Sequence, residues 1–167
     1  MQDVGDVWSK PVNGIQGRLT FSKGDVVVGT RIIKVYLELR NISDVLNPIE
    51  IPYDPTKSVR GELFNSAGKP VPKANVPADI MSPSPFTLAL PYDSTLRFDV
   101  TARGYGIMPH QGSLIGLHSG AWLVKDDELS NCYLGATFEV RPESKRNHGR
   151  VWSGILEIPR TRIVLHQ

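Results

Sequence analysis

Apolar and polar residues alternate with a period of two along much of this chain, and a helical period is hardly seen. In RIIKVYLELRN, Ile33, Val35, Leu37 and Leu39 alternate with Lys34, Tyr36, Glu38 and Arg40. That pattern predicts a half-buried strand of an antiparallel sheet. NPIEIP resumes as a short strand limited by Pro48 and Pro52, and SVRGELF places Val59 and Leu63 on one side before the turn NSAGKP. FTLALP and TLRFDVTA predict two strands around PYDS, with Leu96, Phe98 and Val100 facing the core. SLIGLHSGAWLVK reads as one or two short strands, and CYLGATFEV turns Leu134, Ala136, Phe138 and Val140 inward. VWSGILEIPRTRIVLHQ closes the chain as a long strand interrupted at Pro159.

Between these strands lie turn and loop segments. Residues 70–85 carry five prolines, which remove ladder donors and exclude a central strand. GYGIMPHQG predicts a loop and RPESKRNHGR a polar, basic hairpin or loop. Eight to ten short strands separated by turn chemistry predict an all-β, two-sheet antiparallel sandwich. At 167 residues the chain fits a single domain, expected over 8–167 with 1–7 as a flexible N-terminal segment.

Charge changes the picture only by exclusion. Nineteen basic and 17 acidic residues give a formal +2, no electrostatic ground for nucleic acid as a partner. No apolar run approaches the ~18–20 residues of a membrane span, so no membrane insertion by this chain is expected. One cysteine cannot form an internal disulfide. MQDVGDVWSK lacks the basic region and apolar stretch of a secretory signal, and the chain is read as a mature domain cut from a longer precursor.

Candidate chemistry is sparse. A thiol nucleophile needs a lowered pKa, from a cationic histidine or a helix N-terminus. Cys132 precedes an alternating strand with no helix predicted nearby, and His118 lies across a predicted turn; a small hydrophobe at a strand start is the expected role. Asp126, Asp127 and Glu128 lack the spacing of a calcium loop and predict a solvated turn. His110, His118, His148 and His166 form no zinc motif, and no phosphate-cradling or serine-nucleophile motif occurs. No cofactor, metal or catalytic residue is therefore expected. Asn41-Ile42-Ser43 matches a glycosylation sequon at an expected turn. Trp8, Trp122 and Trp152 are expected in the core, with a carbohydrate-stacking platform as the alternative. Tyr53, Tyr92 and Tyr105, in turn-rich segments, are expected at the surface.

The order of VYLELRNISDVLNPIEI, VRGELFNSAGKPV, FTLALPYDSTLRFDVT and CYLGATFEV resembles a bacterial immunoglobulin-like sandwich. VWSKPVNGIQGRLTF and VWSGILEIP look like accessory domains of surface or sensor proteins, whose individual functions are unassigned. The resemblance implies a place outside the cytoplasm, a non-catalytic binding role with a protein partner, and a corner role for Tyr133 that ties a loop to the sheet. The paired cysteines of antibody domains are missing, and PYDS replaces the usual glycine-bearing turn. A bacterial proteinase-inhibitor family with a similar opening is the alternative; it would present an exposed loop to a protease. Loops 72–85 and 103–113 are the expected contact loops, the second offering Arg103, Tyr105, Met108 and His110.

Overall fold

The computed structural model describes residues 7–76, 83–105, 112–142 and 151–166. Strand β1 (Ile15–Val27) and β2 (Thr30–Asn41) form a long antiparallel hairpin. They are followed by β3 (Ile49–Tyr53), β4 (Val59–Phe64), β5 (Phe86–Leu90), β6 (Thr95–Asp99), β7 (Gly112–Leu117) and β8 (Gly120–Val124). A single helical turn, α1 (Asp126–Leu129), leads into β9 (Tyr133–Val140), β10 (Gly154–Arg162) and β11 (Leu165–His166). The chain is thus all-β and mostly antiparallel, as its alternation predicts. Among the described residues no helix is long and apolar enough to cross a membrane.

Among the described residues, hydrogen-bonded pairing groups the strands into three sheets. Six strands are ordered β11-β1-β2-β7-β8 with β6 also on β2; a second sheet is β10-β9-β4; β3 and β5 form a third. Two pairs are parallel, β1 with β11 and β2 with β7. The inner faces share one core. Ile15, Leu19 and Phe21 of β1 and Ile33, Val35, Leu37 and Leu39 of β2 meet Leu134, Phe138, Leu156 and Ile158 of the second sheet. Gly17 permits the approach: a Cβ there would lie 2.6 Å from the Ile158 side chain.

The interruption at Pro159 has a structural outcome. The β9–β10 register shifts between Ile158 and Thr161, because proline has no N–H for the ladder. After Ile163, whose N–H donates to the Cys132 carbonyl, the chain leaves the second sheet, and β11 pairs with β1 of the first.

Several expectations need correction. Tyr53 is in the core, 5% exposed, because Ile49, Ile51 and Tyr53 share the inward parity of β3. Its ring lies edge-on to Phe98 at 5.0 Å and Phe86 at 5.2 Å, and burial pushes its phenol well above the usual range. Asn41 is the wholly buried last residue of β2, not a turn residue. Its amide donates to the Leu90 carbonyl while its Oδ1 accepts from the Ser43 N–H and hydroxyl, so the sequon's nitrogen ties β2 to β5. The acids at 126–128 sit in a helical turn that buries Leu129, so a helix does precede Cys132. Trp122 and Trp152 are core residues that donate to the Val71 and Val12 carbonyls. Trp8 is half-buried, with the guanidiniums of Arg18 and Arg40 over its ring at 4.6 and 4.4 Å. Apart from Val7, the expected flexible N-terminal segment lies outside the described residues, as does most of the RPESKRNHGR segment.

Candidate functional site

Strand β2 changes neighbour half-way along one edge. Thr30–Ile33 pair with β7 in parallel, and Tyr36–Arg40 pair with β6 antiparallel. Between them the backbone of Val35 would be orphaned, and buried backbone polar groups are rarely left so. Thr101 and Val100 take up the bonds. The Thr101 hydroxyl accepts from Val35 N–H at 2.8 Å and donates to Val35 C=O at 3.4 Å, and Val100 N–H donates to the same carbonyl at 2.9 Å. Thr101 is itself fixed, its N–H donating to the Asp99 carboxylate at 2.8 Å.

Where β6 and β7 diverge, a cleft of about 300 Å³ opens on the outer face of the large sheet. Ile32, Leu114 and Val27 give it apolar surface, and Asp25, Asp99, Lys34 and Arg103 give it charge. Tyr105 forms a wall. Its hydroxyl donates to the Leu117 carbonyl at 2.6 Å, and burial raises its pKa. The ring lies flat enough on β7 that a Cβ on Gly116 would come within 2.9 Å of it. The tyrosine is therefore held from both ends, by its hydroxyl and by the glycine beneath its ring.

Two of the four expected contact residues, Arg103 and Tyr105, come together here. Met108 and His110 lie outside the described residues. Tyr92 is exposed in the β5–β6 turn, near the other end of β2. The first expected contact loop, 72–85, is partly tied down where it is described: Ala74 N–H donates to the Ala121 carbonyl and Lys73 Nζ to the Ser119 carbonyl. The loop-to-sheet tyrosine bond expected of Tyr133 is made by Tyr105. Among the described residues the Tyr133 hydroxyl makes no hydrogen bond. Lys34 and Asp99 were missed. They come from two strands brought together by pairing, although Lys34 carries a signal as an outward position of β2.

Beyond the cleft, the same outer face is covered by its own side chains. Arg18, Glu38 and Arg97 lie directly across β1, β2 and β6. Glu38 pairs with Arg18 at 2.6 Å and Arg97 at 3.7 Å, Arg97 lies 4.0 Å over the Tyr36 ring, and Arg40 donates to Gln16 at 2.7 Å.

Cys132 and His118 occupy different surroundings. Cys132 is 4% exposed within the core cluster, and its thiol donates to the Glu128 carbonyl at 3.5 Å. Burial pushes the thiol pKa up and the Glu128 charge adds to the rise, opposite to the shift a nucleophile needs. The helical turn before it presents its C-terminal end, which does not favour a thiolate. His118 lies in the β7–β8 turn, where partial burial lowers its pKa and the Asp54 carboxylate opposes that effect. No protein-family model, curated protein or solved structure matches the chain.

Proposed function

We propose that this chain is a non-catalytic interaction module with an immunoglobulin-like arrangement of its sheets, and that it serves a bacterial protein outside the cytoplasm. Its partner is a protein, and the contact is centred on the cleft beside Arg103 and Tyr105. The observation that carries this reading is the cleft's construction. A rigid tyrosine wall, apolar surface and charges of both signs are mounted on a hydrogen-bonded sheet. Such a mixture suits a partly apolar, partly polar protein contact, and the fixed tyrosine loses little freedom on binding. The buried, proton-retaining thiol of Cys132 supports the non-catalytic part of the reading.

The test is crosslinking capture from bacterial envelope extracts, with the unaltered chain beside Arg103→Glu and Lys34→Glu. Both residues line the cleft rim, so each reversal is expected to reduce capture several-fold while the circular dichroism spectrum is unchanged. Equal capture by both variants would remove the cleft from the reading. Stoichiometric inhibition of a serine protease by the unaltered chain would replace it with the proteinase-inhibitor alternative.

A further inference from the structure

The sequence DVVVGT, at the tip of the β1–β2 hairpin, combines exposure with backbone strain. Val28 and Gly29 make the turn with φ of 48° and 80°. Two positive φ values in succession suit a two-residue hairpin, whose first position favours Asn, Asp or Gly. A β-branched residue there is an outlier, because its Cβ crowds the carbonyl that follows. Burial among the described residues does not offset that strain: Val28 is 64% exposed and Val26 61%, with Val27 between them also exposed. Single exposed valines need no explanation. Three in a row on a strained turn are compensated when the tip is covered by something else.

We infer that this tip and the adjoining cleft form one self-complementary surface, on which a second copy of the chain docks about a two-fold axis. The inference rests on the reading of the cleft as a contact site and names its occupant. Tip and cleft are neighbours, since Asp25 and Val27 of the hairpin themselves line the cleft. When a projection and a recess adjoin in this way, a two-fold axis can place each tip in the other copy's cleft and close the assembly at two subunits. Were they far apart, the contact would run head to tail, closing into a ring or propagating as a filament according to its rotation. The cleft has room for branched aliphatic side chains, and Ile32 and Leu114 offer them apolar surface.

Charge also favours a second copy over other occupants. The rim holds two acids, Asp25 and Asp99, and two bases, Lys34 and Arg103, and among the described residues none of the four is in an ion pair. A surface balanced in this way can set acids against bases when it meets itself. An anionic lipid surface or a partner of one sign would leave half of these charges opposed.

Sedimentation equilibrium of the full chain at neutral pH tests the proposal. A reversible monomer–dimer equilibrium is expected, weak because the patch is small beside a standard protein interface. Val26→Asp combined with Val28→Asp should weaken association by roughly tenfold or more. Val28→Asn guards against mere loss of folding: it relieves the strained turn, so it should raise the melting temperature while weakening the dimer. A chain that stays monomeric at every concentration overturns the proposal, as does a dimer that the valine variants leave intact. The Arg103→Glu capture experiment then separates the two readings. A monomer whose capture still depends on Arg103 loses only the second copy, and a monomer whose capture does not loses both.

Discussion

The two halves of β2 treat the same outer face in opposite ways. From Tyr36 to Arg40 the outward side chains are covered by their neighbours. Glu38 is held between Arg18 and Arg97, Arg97 covers Tyr36, and Arg40 lies against Trp8. From Thr30 to Lys34 the face opens into the cleft, where Asp25, Asp99, Lys34 and Arg103 have no ion-pair partner among the described residues and the hairpin tip exposes its valines. Inner faces do not differ: Ile33, Val35, Leu37 and Leu39 are all fully buried. The contrast separates side chains that hold the sheet together from side chains left available for contact. A face closed by its own ion pairs and stacking has little to offer a partner.

The comparison can be broken most severely from beneath. Phe138 is fully buried and stacks between Tyr53 and Trp152 under the closed half, so Phe138→Ala should cost about 3–5 kcal/mol in denaturant titration. Phe98 is only partly buried, and its replacement by alanine should cost less, about 1–3 kcal/mol. Equal losses would mean that the strand phase of β6 is wrong. Glu38→Gln removes the charge that both arginines share and should cost about 1–3 kcal/mol by the same measurement, with capture and association unchanged. If capture falls instead, the closed half is part of the contact.

In the open half, a substitution should stabilise. Val28→Asn replaces a branched residue at positive φ and should gain about 1 kcal/mol in the isolated chain. A loss would show that the turn is not strained by its valine. The smallest effect belongs to His118, on the hairpin flanking the open half. Its folded pKa lies below the ordinary value, so the unfolded chain takes up the proton first as pH falls. Its contribution is therefore present above about pH 6.5 and is lost as pH falls through the depressed folded value. His118→Gln should flatten that limb of the stability–pH curve, and an unchanged slope would assign it to another group.

Alternation made the core legible wherever a strand has one wet face: Ile33 to Leu39 and Leu134 to Val140 are buried in the predicted phase. It failed at β1, the longest strand, where Gly17 interrupts the apolar row and two adjacent valines, Val26 and Val27, end it without alternation. The helical turn before Cys132 is too short to show a period. Which strand pairs with which is a long-range outcome, so the third sheet and the two parallel pairs left no local trace. The same holds for the site. Arg103 and Tyr105 stand out in a glycine-rich loop, whereas Asp99 reaches the cleft only because β6 pairs with β2.

The parallel pairing of β11 with β1 has a mechanical consequence. If the domain bears tension through its two terminal strands, β1 is drawn toward its beginning and β11 toward its end. In a parallel pair these directions are opposed along the strand axis, so the hydrogen bonds joining Phe21 and Ser22 to Leu165 and His166 are loaded in shear, all together, instead of being peeled one at a time. The short strand placed beyond the register shift at Pro159 thus sits where it can act as a latch against extension.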